Sequence, residues 1–422
     1  MPATDPDAGW TLPAWLYHDA EWAAVERERL LRPSWQIVCH LNDIPKAGDW
    51  QTLAFLNESI IVVRGDDGTP RAFTNVCRHR GSRLVDGTHG CAKKLVCPYH
   101  AWVYELDGRL SGVPLKASYP DFAMADHGLA PVELEVWRGF IFIRLAPGLP
   151  SVAEMLEPWD DQVAPYRFEE MQPLGPPRTR PRAVNWKNLT DNYSDNLHIL
   201  PAHPGLKRLF GPNYVTLAGP WSDWLGGPLA EGGSWSERLY HKLLPPVAHL
   251  PADRQHFWWY IKLWPNIAFD IYADQIDFMQ FIPTGPTTTA LREISYALPD
   301  DRRQMRAARY LSGRINRDVN SEDTELVARV QAGMGSASFS QGPLSSTEVC
   351  LRSFAAKVRA LVPEARLPHP PAPGWSRRYL TPLPQAGGIP LSAPLPQAGG
   401  VTLSAPLPQA GGAGGGAVQP SP

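Results

Sequence analysis

The stretch NVCRHRGSRLVDGTHGCAKKLVCPYHAW, Asn75 to Trp102, holds two boxes, Cys77-x-His79 and, after seventeen intervening residues, Cys97-x-x-His100. Two cysteines and two histidines suit zinc, which accepts such a set in tetrahedral geometry. They suit equally a 2Fe-2S cluster in which two histidines replace two cysteines on one iron. Each box supplies one sulfur and one nitrogen, so Cys77 with Cys97 can hold one iron and His79 with His100 the other, from two facing loops. Zinc fingers more often keep cysteines in one box and histidines in the other, and the mixed boxes favour the cluster.

Around the boxes, from about Trp35 to Leu145, the segments QTLAFL, SIIVVRG, RAFTNV and GFIFIRL are separated by Gly, Asp, Asn and Pro. This predicts a small all-β domain over 35–150. Ahead of it, Asp19 caps an expected helix to about Leu31, part of a helical segment over 1–34. A proline-rich crossing from LAPGLP to PLGPPRTRPRAV leads into a second domain, 151–378. Its strand-like runs HFWWYIKLW, IAFDIYADQIDFMQFIP and TTTALREISYAL precede helices opened by Asp300 or Asp301 and carried through DRRQMRAARYLSGRINRD, SEDTELVARVQ and STEVCLRSFAAKVRALV. Sheet first and long helices after is an α+β arrangement. Over 379–422 the units PLPQAGGIPLSA, PLPQAGGVTLSA and PLPQAGGAGGGA repeat at a period of twelve, and their Pro/Gly-rich composition predicts disorder.

The 422 residues are 43% hydrophobic and 19% charged, enough to bury a large core in two domains. A net charge of -2 without a basic run excludes a phosphate-neutralising surface. No apolar run long enough to span a bilayer and no basic, apolar leader are present, and five sparse cysteines argue for a reducing compartment, so a cytoplasmic protein is expected. Cys39, Cys91 and Cys350 lie outside both boxes and are read as small buried hydrophobes.

A second constellation lies in NYSDNLHILPAHP, Asn192 to Pro204, where Asp195, His198 and His203 crowd together. On a straight helix, residues five apart diverge by about 140°, so the chain must bend for both histidines to meet one ion. Pro201 is placed to end or kink a helix there, and Pro204 follows His203. On spacing alone, two ordinary surface histidines are the commoner case. Further on, Leu311, Ile315, Val319, Asp323, Leu326, Val327 and Val330 recur at spacings of three and four, which puts Asp323 in an apolar stripe. A carboxylate there is costly unless paired or metal-bound. The alternative is that Asn320 or Ser321 caps a new helix, with Asp323 a first-turn acid. Glu322 and Glu325 point to neighbouring faces.

The Cys-His boxes, with Arg80-Gly81 after the first histidine and Tyr99 and Trp102 around the second, resemble the Rieske domain of the Rieske non-haem iron ring-hydroxylating oxygenases, terminal oxygenase (alpha) subunit. Ser82 and Tyr99 stand where respiratory Rieske proteins carry an additional disulfide pair. The run NWKNLTDNYSDNLHILPAHPG resembles the iron-binding segment of the same family, and Glu322-Asp323 before VQAGM resembles its third-ligand segment. The resemblance implies an N-terminal all-β Rieske domain and a helix-grip (START/Bet v-like) catalytic domain, with an antiparallel sheet and long C-terminal helices, on which the N-terminal segment packs. It implies that Cys77, His79, Cys97 and His100 hold a 2Fe-2S cluster and that His198, His203 and Asp323 hold a mononuclear Fe(II). Asp195 then bridges, in a head-to-tail homotrimer, to His100 of the partner subunit, and Asn192 lies near the iron.

The family's activity uses O2 and electrons from a separate ferredoxin or flavin reductase fed by NAD(P)H. This sequence has no dinucleotide fingerprint of its own. A beta subunit accompanies some such chains. The expected substrate is a small aromatic compound, hydroxylated or dihydroxylated; Trp221, Trp224, Trp235, Trp258, Trp259 and Trp264 fall in the catalytic half and suit an apolar aromatic pocket, although most of them are expected in the core. The alternative is hydroxylation or N-demethylation of a quaternary ammonium compound in an aromatic cage. Members of that kind tend to carry Glu at the bridge, so Asp195 favours the aromatic class. Two readings of other classes are a Rieske electron carrier without oxygen chemistry and a zinc-binding module.

Overall fold

In the computed structural model, which describes residues 7, 9–230 and 233–380, helix α1 (Ala20–Glu26) runs on through one wider turn at Arg27–Leu31. Asp19 caps it by accepting the Trp22 N–H at 2.7 Å. Ten strands follow: β1 (Gln36–His40), β2 (Asp49–Phe55), β3 (Glu58–Arg64), β4 (Pro70–Thr74), β5 (His89–Cys91), β6 (Leu95–Val96), β7 (Val103–Tyr104), β8 (Leu110–Gly112), β9 (Pro131–Trp137) and β10 (Phe140–Arg144). Seven form an antiparallel sheet in the order β1-β10-β9-β4-β3-β2-β5, and β6-β7-β8 form a small sheet beside it. Trp50, Phe73, Leu95, Trp102 and Tyr104 pack with Cys77 and Cys97 into a core of their own. The β1 and β10 side instead shares the core of the second domain.

That domain begins with α2 (Val152–Val163), where Ser151 and Glu154 form a reciprocal cap. Its sheet comprises β11 (Gln172–Pro173), β12 (Arg178–Arg182), β13 (Val215–Leu217), β14 (Ser222–Pro228), β15 (Phe257–Leu263), β16 (Ile267–Ile271), β17 (Ile276–Gly285) and β18 (Thr288–Ala297). The order is β11-β18-β17-β16-β15-β14-β13, with β12 also on β18. The helices are α3 (Trp186–Ser194), α4 (Ile199–Ala202), α5 (Pro204–Phe210), α6 (Trp235–Leu243), α7 (Arg303–Met334), α8 (Val349–Leu361) and α9 (Arg377–Leu380).

The period of two in a strand gives this sheet two unlike faces. Ile261, Phe269, Phe278, Ile294 and Tyr296 lie on one, fully buried. That face meets the first domain: Arg292 donates to the Ile37 and Val38 carbonyls at 3.2 and 2.5 Å, and the Tyr296 hydroxyl donates to Asp43 at 2.7 Å. On the other face Tyr260, Asp277, Met279, Glu293 and Ser295 are only half-buried, although they sit in the middle of the sheet. This inner face is hollow, and Tyr193 of α3 reaches across it to Asp270.

Several expectations are corrected. Helix α7 runs unbroken through Asn320–Asp323. Asn320 accepts from Arg182 at 3.0 Å instead of capping anything, so Asp323 is a mid-helix residue. Neither Asp300 nor Asp301 caps α7: the N-cap position is Arg302, whose N–H Asp300 accepts at 3.0 Å. Val330 is 47% exposed and drops out of the apolar stripe, while Val327 and Gln331 on either side of it face inward. Trp224, Trp258, Trp259 and Trp264 are core, as expected for most of the six, while Trp221 is half-buried and Trp235 is exposed. Cys39 and Cys350 are buried as expected, but Cys91 is exposed on β5. Of the repeat tail, Tyr379 and Leu380 end α9, and 381–422 lie outside the described residues. Among the described residues no helix is long and apolar enough to cross a membrane.

Candidate metal centres

The two Cys-His boxes fold into matching loops. In the first, the Gly81 N–H donates to the Cys77 carbonyl at 3.1 Å and the Cys77 N–H to the Ser82 carbonyl at 2.8 Å. In the second, the Ala101 N–H donates to the Cys97 carbonyl at 3.0 Å and the Cys97 N–H to the Trp102 carbonyl at 2.8 Å. Each loop needs a left-handed residue four after its cysteine, and Gly81 (φ 74°) and Ala101 (φ 54°) supply it. Both cysteines are 2% exposed, whereas both histidines reach the surface half-buried.

The donor set converges. The Nδ1 atoms of His79 and His100 face each other at 3.2 Å. His79 stacks on Trp102 at 4.8 Å, which fixes its ring. Burial pushes the Cys77 thiol up. Burial acts on Cys97 in the same sense, but the N–H groups of His100 and Tyr99 outweigh it and hold that thiol below its usual value. Two sulfurs inside and two imidazoles outside fit a cluster that passes electrons to the surface through its histidines.

At the second centre, α3 ends because Asp195 leaves the helical region (ψ 130°). The bend between the histidines comes at His203 (φ -118°, ψ 75°), not at Pro201, which sits inside the single turn α4. Pro204 causes it: a proline expels the preceding residue from helical geometry and itself suits a first helical position, here that of α5. The rings of His198 and His203 then meet at 4.9 Å. Ligand atoms of His198, His203 and Asp323 all lie within 4.8 Å of one another, with Asp323 Oδ1 at 2.8 Å from His203 Nε2 and 3.6 Å from His198 Nε2.

The outer nitrogens are held as well. His198 Nδ1 lies 3.1 Å from Asp195 Oδ2, and His203 Nδ1 lies 2.7 Å from Glu322 Oε2. Such partners fix the tautomer and leave both Nε2 atoms free for an ion. Burial works to raise the Asp195 carboxyl, but His198 and the Leu197 N–H outweigh it and hold it below the usual range. Asn192 donates to Asp323 Oδ1 at 3.0 Å. Asp195 is thus outside the triad, Glu322 supports it, and Glu325 pairs with Arg329 at the surface.

Sequence reasoning missed what holds α3. Glu26 accepts from the Lys187 ammonium at 2.6 Å and the Trp186 indole at 3.0 Å. Tyr17 donates to Asp191 at 2.6 Å. Gln331 of α7 accepts from the Asn185 N–H at 2.6 Å and the Asn188 amide at 2.9 Å. A lone Glu in a helical pattern and the Lys of NWK carried no signal of pairing across 160 residues.

Residues 34–123 match the Rieske [2Fe-2S] domain, and residues 168–364 match the ring hydroxylating alpha subunit catalytic domain. The glycine betaine monooxygenase oxygenase subunit of Chromohalobacter salexigens is 29% identical over 80% of this chain and 82% of its own length. The carnitine monooxygenase oxygenase subunit of Escherichia coli K12 is 37% identical over 48% of this chain, which spans about half the length (54%) of that relative. A crystal structure of a quaternary ammonium Rieske monooxygenase shares the fold with a TM-score of 0.74, at 24% identity over 85% of this chain and 96% of that one. Naphthalene 1,2-dioxygenase from Rhodococcus sp. shares it at 0.68 and 20% identity, over 83% and 94%.

Proposed function

The chain belongs to the Rieske non-haem iron oxygenases as a terminal (alpha) subunit, and from that premise we propose that it is a monooxygenase acting on a quaternary ammonium compound. The observation that carries this reading is the relation to a glycine betaine monooxygenase subunit across most of both chains. The fold does not discriminate, since naphthalene dioxygenase shares it. Aromatic hydroxylation, which Asp195 in place of Glu favoured, is the second reading.

In this proposal Cys77, Cys97, His79 and His100 hold the cluster, and His198, His203 and Asp323 hold the iron. Bound there, the two groups supply one-electron transfer and dioxygen chemistry at open coordination positions. The rest is the work of the chain. Asp195 and Glu322 each take a proton-bearing Nδ1 and so keep both Nε2 lone pairs inward. Asn192 orients the Asp323 carboxylate. The Asp195 side chain remains 21% exposed, so it can also accept from His100 of the partner subunit in a homotrimer. Electrons come from a separate ferredoxin or flavin reductase. A Rieske carrier without oxygen chemistry would leave the convergence of His198, His203 and Asp323 without a purpose.

The test is oxygen uptake by the purified protein with a reductase and NADH. Carnitine, glycine betaine and choline are compared with naphthalene. Uptake and NADH oxidation dependent on a quaternary ammonium compound are expected. Turnover of the aromatic compound alone would overturn the proposal.

A further inference from the structure

On the hollow inner face of the catalytic sheet, Asp270 is 8% exposed and receives its hydrogen bonds from phenols, Tyr193 at 2.6 Å and Tyr272 at 3.3 Å. Asp277 lies directly opposite it on the next strand and takes the Gln275 amide at 2.9 Å. Among the described residues, no Lys, Arg or His forms an ion pair with either. Like charges facing across strands repel, and a buried carboxylate without a cation is costly. Nearby, Asp274 leaves Oδ2 without a hydrogen-bond partner at 3% exposure. Arg309 stands beside Asp274, donating to its carbonyl at 3.0 Å, but among the described residues no cation pairs with Asp270 or Asp277.

Aromatic rings converge on the same place. Tyr193 meets Tyr260 at 6.2 Å and Phe281 at 6.1 Å, and Tyr260 meets Tyr272 at 6.4 Å. Tyr193 adjoins Asn192, which holds Asp323. Asn316 donates to the Tyr272 hydroxyl at 2.9 Å and lies two turns, about 10 Å, before Asp323 along α7. The carboxylate and the rings are therefore tied to α3 and α7, the helices that carry Asn192 and Asp323.

We propose that Asp270, framed by Tyr193, Tyr260 and Tyr272, is the specificity residue that supplies the counter-charge for the methylated ammonium group of the substrate. This deepens the proposed function and rests on it. Faces of tyrosine attract an alkylammonium ion that offers no hydrogen bonds, and the carboxylate adds the charge that rejects neutral isosteres.

The charge state of Asp270 makes this measurable. Burial pushes its carboxyl up to about 7, Tyr193 opposes, and Asp277 raises it further. The groups around it are Tyr193 of α3, Tyr214 just before β13, Tyr260 of β15, Tyr272 and Asp277 across the β16–β17 hairpin, Glu293 of β18, already paired with Arg180, and Asn316 of α7. Lys262 shares the face but turns to the Thr190 carbonyl. Below about pH 7 the carboxyl is neutral and a cation loses its partner.

The experiment is calorimetric titration of the holoenzyme with choline and with its uncharged tert-butyl analogue, in which carbon replaces nitrogen. Native protein is expected to prefer choline, with Kd falling about tenfold per unit as pH rises toward 7 and levelling above it. Asp270→Asn should weaken choline about tenfold or more and leave the analogue unchanged. Equal choline affinity in Asp270→Asn, or a flat pH profile of the native protein, would overturn the role of Asp270 while leaving the substrate class standing. Native protein that binds no quaternary ammonium compound and turns over an aromatic one would overturn both. If Asp270→Asn loses its cluster spectrum or fold, the native pH profile decides.

Discussion

In the Rieske lobe each pair of ligands sits inside a loop that closes on itself within six residues, from Cys77 to Ser82 and from Cys97 to Trp102. In the catalytic domain the two histidines lie close in sequence but the set is completed from afar: His203 meets Asp323 across 120 positions, and α3, the helix just before the histidines, is pinned by Glu26 from 160 positions upstream. The first arrangement is set by backbone hydrogen bonds and two left-handed residues. The second is set by side chains that must find one another after the domain has folded. A local device tolerates changes elsewhere, and a distributed one fails when any remote strut is removed.

The largest effect separates the two centres outright. Asp323→Ala should lose the mononuclear iron and all turnover, taking iron from about three to about two per chain while the visible spectrum of the cluster persists; retained catalytic iron would break the assignment. Next, Lys187→Met breaks the wholly buried pair with Glu26. Removing one partner of such a pair costs about 3–5 kcal/mol, so chemical denaturation should show that loss. If the contrast holds, the spectrum of the cluster at its own midpoint changes far less than iron occupancy at the triad.

The junction between the regions gives a pH test. His40 ends β1, fully buried against Phe140 and Tyr296, and burial lowers its pKa to about 4. The unfolded chain binds a proton near 6.5, so it holds more protons than the folded one between those values. Stability is therefore full above about pH 6.5 and lost as pH falls toward 4. Denaturation midpoints should fall over that window, and His40→Gln should flatten the fall.

A smaller effect concerns coupling. Asp195→Asn should keep both metals and slow turnover with a reduced partner by about 10–100-fold, the usual cost of disturbing a ligand's hydrogen-bonded support; a normal rate would exclude the bridge. The smallest sharpens the comparison from the Rieske side. Ala101 occupies the left-handed position that Gly81 fills in the twin loop, so Ala101→Gly should raise thermal stability by about 1 kcal/mol without altering the cluster spectrum.

This contrast also governs what the sequence made legible. Both Cys-His boxes could be read directly because their geometry is local. His198 and His203 needed the resemblance to a family, and Asp323 needed it more, since its pattern on α7 was also compatible with a helix start that does not exist. The sequence offers both Pro201 and Pro204 for the bend, and only the dihedral angles at His203 assign it to Pro204. The hollow face went unread, although a signal was present. IAFDIYADQIDFMQFIP carries three aspartates in a strand-like run, and Asp is depleted from strands, so their presence marked a face that is not ordinary core.

The straps on the N-terminal segment reach late into the chain: Leu367 accepts from the Trp15 indole at 2.7 Å, and Gly374 and Ser376 donate to Glu21 at 2.8 and 2.9 Å. During synthesis both Cys-His loops are complete by Trp102, well before His198 is translated. Asp323 comes later, and Ser376, which straps α1 at Glu21, later again. Order of emergence thus gives the two centres separate moments of assembly, the cluster loops early and the iron site almost last.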